Sequence, residues 1–187
     1  MMKFHVEHFS ELASTSSMIS EHAKQGAAEG LVIWTDFQTE GRGKPGHKWQ
    51  APKGKDLLFS LLVRPPISPS KAPLLTQVAC RSVAVVLKDC YDIDTSFKRP
   101  NDIMVGDKKI CGVLVESSSR TQDRIDCAIL GIGLNVNAES EEIFSTGISM
   151  KMLKNRDYSR EEVLHAVLKQ LSQDLLPLYG ANSGKTQ

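Results

Sequence analysis

The sequence is poor in cysteine, in aromatic residues and in net charge, and it contains no long apolar run. Its 187 residues include Cys80, Cys90, Cys111 and Cys127, whose spacing matches neither a CxxC metal site nor a dense disulfide framework. We therefore expect reduced thiols and no zinc site. No apolar stretch approaches the roughly 20 residues of a membrane span, and the first residues lack the apolar segment of a signal peptide, which predicts a cytoplasmic protein without membrane contact.

The formal net charge is only +1, which argues against a large nucleic-acid-binding surface. The basic residues are instead concentrated between residues 42 and 55 and between residues 98 and 109. Such local positive charge fits a small anionic ligand better than a polymer. The apolar fraction of 41% is ordinary for a globular protein, so we expect one domain over residues 1–179 and a polar tail over residues 180–187.

A glycine-rich basic loop, QTEGRGKPGHKW at residues 38–49, directly follows the apolar run at residues 31–34. Its glycines let the backbone approach a ligand closely and turn N–H groups toward it. Its cations Arg42, Lys44 and Lys48 supply the charge that a phosphate requires. The loop is therefore interpreted as an anion-binding loop.

The same loop excludes a dinucleotide-binding fold, although residues 41–46 match the pattern G-x-G-x-x-G. That pattern is meaningful only where a helix begins inside it. Pro45 falls within the pattern, and residues 50–56 contain two helix breakers without an apolar period. A strand, not a helix, is predicted next.

The apolar periodicity predicts a mixed α/β domain of the α+β type, with a largely antiparallel sheet flanked by helices. A hairpin turn is expected at Gly106 and Asp107. The predicted helices lie at residues 14–28, 72–90 and 159–178, and the predicted strands at residues 31–36, 57–63, 95–98, 103–105, 110–115 and 125–137.

A second polar cluster, KRPND at residues 98–102, breaks a predicted strand with a proline. Lys109 follows on the next strand, where Gly112 interrupts an apolar run and allows close approach of a ligand. Taken singly, Lys98 and Lys109 would be solvated strand-edge lysines. Their occurrence together with the glycine loop favours a shared site.

These blocks together resemble the catalytic domain of the biotin protein ligases. That family carries, in this order, S-T-N, Q-x-x-G-R-G-R-x-G-R-x-W, K-W-P-N-D, K-x-A-G-I-L-V-E and G-I-G-x-N-V-N. The matching blocks here are residues 14–16, 38–49, 98–102, 109–116 and 131–137. Each block alone is weak, but the ordered set is specific and covers nearly the whole chain. The resemblance implies the class II synthetase-like fold of the biotin and lipoate ligases.

The resemblance implies a ligase that acts in two steps. Biotin and MgATP would give biotinyl-5′-adenylate and pyrophosphate, and a lysine of a biotin carboxyl carrier domain, as in acetyl-CoA carboxylase, would then accept the biotinyl group. Biotin's ring needs a few directed hydrogen bonds in an apolar slot. Its carboxylate must approach a phosphate of ATP, so cations are required to screen two anions.

The resemblance also implies roles for individual residues. Arg42, Lys44, Lys109 and Asp102 are the expected catalytic residues, and Asp102 is also the expected contact for Mg²⁺ or for the acceptor lysine. Trp49, Lys98, Asn101 and Asn135 are the expected contacts for ATP and the adenylate, with Trp49 as the wall for adenine. The expected biotin contacts are Ser14, Thr15, Ser16, Gln38, Gly41, Arg42, Gly43, Lys44, Lys109, Gly112 and Gly131.

The sequence departs from the family pattern in some places. Lys44 stands where the family usually has arginine, and Ser16 where it has asparagine. A lysine cannot form the forked pair that arginine makes with a phosphate, so weaker retention of the adenylate is expected. We expect no winged-helix segment before residue 1 and therefore no repressor role. We also expect the C-terminal β-barrel of the family to be absent, which would weaken the binding of ATP or of the carrier protein.

Two alternatives are open at the level of sequence. A lipoate or octanoyl ligase or transferase would share the fold but use another acyl chain. A catalytically weak protein that binds biotin or its adenylate is the other. Either a monomer or a homodimer is compatible with the sequence.

Overall fold

Seven strands form one mixed sheet in the computed structural model, which describes residues 2–44 and 46–180. The order across the sheet is β1-β2-β3-β7-β6-β5-β4; β1 and β2 are parallel, and the other neighbouring strands are antiparallel. The strands are β1 (His5–Phe9), β2 (Leu31–Thr35), β3 (Leu57–Val63), β4 (Ser96–Lys98), β5 (Asp102–Val105), β6 (Lys108–Ser118) and β7 (Cys127–Leu134).

Helices cover both faces of this sheet. The α2 and α4 helices pack on one face, and α1 packs on the other. The predicted fold class, a mixed and largely antiparallel sheet flanked by helices, is thereby confirmed. The helices are α1 (Thr15–Lys24), α2 (Pro73–Tyr91), α3 (Met150–Lys154), α4 (Arg160–Asp174) and α5 (Leu176–Gly180).

Several predicted boundaries need correction. The helix predicted over residues 159–178 is two helices, because Pro177 lacks an N–H and its ring cannot follow an unbroken helix without a clash. The first helix, predicted within residues 14–28 on the way to Gly26, spans Thr15–Lys24, and Gly26 beyond it adopts a left-handed φ of 89°. The strand predicted over residues 125–137 is β7, which is shorter at both ends. Of the predicted tail, Gly180 ends α5, and residues 181–187 lie outside the described part of the chain.

The face of the sheet that carries α1 has a shallow trough. Successive side chains of a strand point to opposite faces, and Phe59, Leu61 and Ile132 join the core beneath α2 and α4. Glycines interrupt the other face: Gly131 on β7 pairs with Ser60 on β3, and Gly133 on β7 pairs with Gly112 on β6. On this face β7 therefore has no side chain at these two positions, and the trough lies between Leu58 on β3 and Leu114 on β6.

Asp56, immediately before β3, ties that strand to the turn that follows β7. Its Oδ1 accepts hydrogen bonds from the backbone N–H of Val136 at 2.8 Å and of Ala138 at 3.3 Å. The residue is fully buried, and its Oδ2 has no hydrogen-bond partner. Burial raises the pKa of the Asp56 carboxyl from 3.8 to about 6, against the opposing effect of the N–H donors.

This carboxyl should impose a pH dependence on stability. Because its folded pKa lies above its unfolded pKa, the folded protein binds the proton more tightly, and the free energy of unfolding falls as pH rises from about 4 to about 6. We expect the stability of Asp56→Asn relative to wild type to rise by about 3 kcal/mol between pH 3 and pH 7, with a slope of about 1.4 kcal/mol per pH unit between the unfolded and folded pKa values. Urea unfolding across that range measures it, with the exposed Asp107→Asn as control. Parallel curves for wild type and Asp56→Asn would contradict the expectation.

Candidate active site

A cavity of about 370 Å³ lies over the glycine trough, between the start of α1, the glycine loop and the loop before α3. Most of the residues expected from the sequence line it. Three do not: Gly41, Lys98 and Asn135. The predicted residues that line it are Ser14, Thr15, Ser16, Gln38, Arg42, Gly43, Lys44, Trp49, Asn101, Asp102, Lys109, Gly112 and Gly131.

The polar end of the cavity is built at the first turn of α1. Ser14 is the N-cap of that helix, and its Oγ accepts from the N–H of Ser17. The next residue, Thr15, donates its backbone N–H to Gln38 Oε1 at 2.8 Å and its hydroxyl to the same oxygen at 3.2 Å. Helix capping thus fixes the backbone of the segment that faces the cavity.

Ser60 belongs to this polar end although sequence reasoning missed it. It is fully buried, and its Oγ lies 2.7 Å from Thr15 Oγ1 and 2.9 Å from Ser16 Oγ. The signal was present in the sequence, because Ser60 is the single polar residue of the strand LLFSLLV. A polar side chain in an otherwise apolar, fully buried strand requires a partner.

Trp49 forms one wall of the cavity and packs against the glycine trough. A Cβ built on Gly133 would lie 2.4 Å from the Trp49 indole, and one built on Gly112 would lie 2.7 Å from it. The Nζ of Lys109 lies 5.1 Å from the centroid of the Trp49 ring, a cation–π distance. The indole Nε1 is buried without a hydrogen-bond partner. Only glycine on β6 and β7 lets the indole lie this close to the sheet.

The charged end of the cavity is a carboxylate between two ammonium groups. Asp102 Oδ1 lies 2.7 Å from Lys109 Nζ, and Asp102 Oδ2 lies 3.5 Å from Lys44 Nζ. Both lysine side chains are about a third exposed toward the cavity. Three groups predicted from separate sequence blocks therefore meet at one point.

Backbone hydrogen bonds fix the position of Lys109. Its N–H donates to Thr146 O at 2.8 Å, and its carbonyl accepts from Ile148 N at 3.0 Å. Asn135 Nδ2 donates to that same carbonyl at 3.2 Å and to Ile148 O at 3.0 Å. The structure therefore places Asn135 as a support for the strand that carries Lys109, and its amide does not line the cavity.

The glycine loop is a short hairpin tied to the sheet by its charges. Trp49 N donates to Gly41 O at 3.0 Å, and a Cβ on Gly41 would lie 2.3 Å from Trp49 O, so the hairpin requires glycine there. Arg42 forms an ion pair with Glu116 at 2.8 Å between its NH2 and Oε2. Glu116 closes the block that begins at Lys109, but nothing in its position within the block marked it as the partner of Arg42.

The polar residues of the KRPND cluster diverge. Lys98 lies exposed in the edge strand β4, where it pairs with Asp102 but does not line the cavity. Asn101 is buried and lines the cavity. Its Nδ2 donates to Val113 O at 2.5 Å, and its Oδ1 has no hydrogen-bond partner among the described residues. Asn101, which directly precedes Asp102, therefore lines the cavity, whereas Lys98 does not.

The described residues do not fit a resident metal ion. Residues 2–44 and 46–180 contain no group of three or more His, Cys, Asp or Glu side chains that could hold one. Asp102, the expected Mg²⁺ contact, faces two ammonium groups instead, which disfavour an additional cation.

The thiols beneath the site are unsuited to nucleophilic chemistry. Burial raises the pKa of the Cys80 thiol to about 12 and that of the Cys111 thiol well above its ordinary value. A thiol is a nucleophile only as its thiolate.

None of the helices within residues 2–44 and 46–180 is long and apolar enough to cross a membrane.

The cavity therefore combines a hydrogen-bonding end with a cationic end. Ser14, Thr15, Ser16 and Gln38 can orient a small polar ring, while Arg42, Lys44 and Lys109 can hold anionic groups. Preorganised cations of this kind stabilise charge that develops on a transferring phosphoryl group.

Comparison with known proteins supports this interpretation. The family model described as "Biotin/lipoate A/B protein ligase family" matches residues 9–135. The bifunctional ligase/repressor BirA of Bacillus subtilis is 32% identical over 172 residues, which are 90% of this chain and 53% of that protein. The biotin--[acetyl-CoA-carboxylase] ligase of Mycobacterium tuberculosis is 27% identical over 92% of this chain and 64% of its own length. The chain thus spans about half to two thirds of these relatives.

The fold has close counterparts among solved structures. The biotin protein ligase from Aquifex aeolicus, solved in complex with biotin and ATP, superposes with a TM-score of 0.80. It is 32% identical in sequence, and the match covers 94% of this chain and 72% of that one.

Proposed function

This chain belongs to the biotin/lipoate A/B protein ligase family, and from that premise we propose that it attaches biotin to a lysine of a biotin carboxyl carrier domain at the expense of MgATP. In the first step a carboxylate oxygen of biotin attacks the α-phosphorus of ATP, and pyrophosphate leaves. In the second step the acceptor amine attacks the acyl carbon, and AMP leaves. The observation that carries the proposal is the cavity with a hydrogen-bonding end and a cationic end.

In the first step the polar end holds the urea group of biotin's ring. Ser16 and Gln38 line that end, and the glycine floor at Gly131 leaves room for the ring. Lys109 and Lys44 then lie where the carboxylate and the α-phosphate meet, and their charge offsets the repulsion of two anions. Arg42 can exchange its pairing with Glu116 for a substrate anion, because that pair is half exposed and therefore weak.

The nucleoside would lie on the side of Asn101 and the loop before α3. The buried Oδ1 of Asn101 has no partner and can accept a hydrogen bond from a nucleoside N–H or O–H. Trp49 is the proposed wall for adenine. Phe144, 67% exposed at the mouth of the cavity, is a second aromatic surface for the base. Lys98 does not line the cavity, but it pairs across the sheet with Asp102, which does, and it stays a proposed contact for ATP.

In the second step Asp102 is the proposed partner of the acceptor lysine. Once Lys44 and Lys109 pair with phosphate oxygens, the Asp102 carboxylate is left to accept a hydrogen bond from the incoming amine. The proposed acceptor is the biotin carrier domain of a carboxylase. The four free cysteines support a reducing compartment, and we place the reaction in the cytoplasm.

Labelled biotin and MgATP, incubated with and without a biotin carboxyl carrier domain, test the proposal. We expect biotinyl-5′-adenylate and pyrophosphate without the carrier, and label on the carrier lysine when it is present. Adenylate without transfer would limit the function to the first step. Neither product from folded protein, or competition by lipoate but not by biotin, would overturn the assignment.

A further inference from the structure

Ser60 contacts the polar end of the cavity from behind. It is fully buried in β3, it does not line the cavity, and it touches two residues that do, Thr15 and Ser16. Its effect on a ligand must therefore pass through these hydroxyl groups. The inference drawn from it rests on the proposed function, since it concerns how biotin's urea group is selected.

The direction of each hydrogen bond in this network follows from one fixed donor. The backbone N–H of Thr15 can only donate, so the atom 2.8 Å away must be the oxygen of the Gln38 amide and not its nitrogen. The hydroxyl of Thr15 then donates its single hydrogen to that oxygen, at 3.2 Å. Gln38 Nε2 is left as a donor.

Because each hydroxyl has one hydrogen, the directions of the two remaining hydrogen bonds in this network follow. Because the hydrogen of Thr15 Oγ1 is committed to Gln38, the 2.7 Å contact with Ser60 requires that Ser60 donate. Ser60 then has no hydrogen left for Ser16, so the 2.9 Å contact requires that Ser16 donate to Ser60. The hydroxyl of Ser16 consequently offers the cavity an acceptor and no donor.

We infer that Ser60 is a positioning residue that fixes this polarity and thereby selects a ligand with a urea N–H facing Ser16. Gln38 Nε2 supplies the complementary donor for the urea carbonyl. Ser16 Oγ lies beside the glycine floor, since a Cβ on Gly131 would come within 2.8 Å of it. A ring that places an oxygen instead of N–H at that position would set two acceptors against each other.

The test compares biotin with its two carbamate analogues, in each of which one urea N–H is replaced by a ring oxygen. Calorimetry gives the dissociation constants for wild type, Ser60→Ala and the matched control Ser172→Ala, a buried serine that accepts from Met2 N far from the cavity. We expect wild type and Ser172→Ala to bind one carbamate about tenfold more weakly than biotin. Ser60→Ala should lose this discrimination, because the freed hydroxyl of Ser16 can then donate to the ring oxygen.

The ratio of affinities separates a positioning role from a structural one. If Ser60→Ala weakens biotin and both carbamates equally, or changes nothing, the inference is wrong. Restored discrimination in Ser60→Thr would support it, because that variant restores the hydroxyl. Should Ser60→Ala fail to fold, Ser16→Ala removes the acceptor itself and must abolish the discrimination. Failure of wild type to bind biotin would overturn the proposed function and this inference with it.

Discussion

Replacing Lys109 by alanine is expected to slow adenylate formation by about 10² to 10³-fold while leaving the fold intact. The Nζ of Lys109 lies 2.7 Å from Asp102 and 5.1 Å from the centroid of the Trp49 ring, so it stands at the cationic end of the cavity. One preorganised charge at a reacting centre is worth roughly 3 to 4 kcal/mol in comparable deletions. The side chain is not part of the core, and the bonds that fix the strand come from its backbone.

Pyrophosphate release from biotin and MgATP measures this effect. The matched control is Lys108→Ala, which removes a lysine from the same strand outside the cavity lining and should retain the wild-type rate. A thermal melt of each variant separates loss of chemistry from loss of structure. Wild-type pyrophosphate release by Lys109→Ala would remove that residue from the reacting centre.

The loss should appear mainly in kcat rather than in the affinity for biotin. The proposed site for the urea group lies at the opposite end of the cavity, at Thr15, Ser16 and Gln38, and the alanine variant leaves that end unchanged. The proposed role of Lys109 is to stabilise charge that develops only during phosphoryl transfer. A rise in the dissociation constant for biotin equal to the loss of rate would instead indicate that Lys109 binds the ground-state carboxylate.

The sequence was sufficient for the parts of this site that local patterns encode. The glycine loop, the Asn101 and Asp102 pair and the Lys109 strand each require particular residues within a short segment, and the structure brings them around one cavity. Lys98 shows the limit of such reasoning. Its spacing from Asp102 placed it near the site, but only the path of the edge strand decided that it lies outside the cavity lining.

The missed features depend on contacts between distant segments. Ser60 and Thr15 are 45 residues apart, and Arg42 and Glu116 are 74 apart, so neither pairing leaves a local pattern. The strand β1 was missed because its sequence HVEHF is mostly polar and exposed, and it pairs in parallel with β2 only in the folded sheet. Register across the sheet, rather than propensity along the chain, determines these features.

Gly133→Ala should raise the dissociation constant for biotin by up to about 100-fold, the range of strong coupling between contacting residues. The added methyl would lie 2.4, 2.7 and 2.9 Å from atoms of the Trp49 indole, and no other group is among its three nearest atoms. Either the indole or the strand must move to accommodate the methyl. Trp49 belongs to a loop, whereas Gly133 lies on β7, which is held between β3 and β6 in the sheet. The indole should therefore be displaced from the trough, and the cavity should lose its wall while the core beneath α2 and α4 is kept.

A double-mutant cycle attributes this effect to the indole. In a Trp49→Ala background the same glycine substitution has no ring to displace, so it should change the dissociation constant for biotin by less than about threefold. Calorimetry on the four proteins gives the coupling, and thermal melts test that the sheet is retained. An equal loss of affinity in both backgrounds would mean that the methyl acts on the ligand or on the strands directly. Since the floor of the cavity is built from glycines on β6 and β7, that outcome would show that Gly133 affects biotin binding independently of the position of the Trp49 indole.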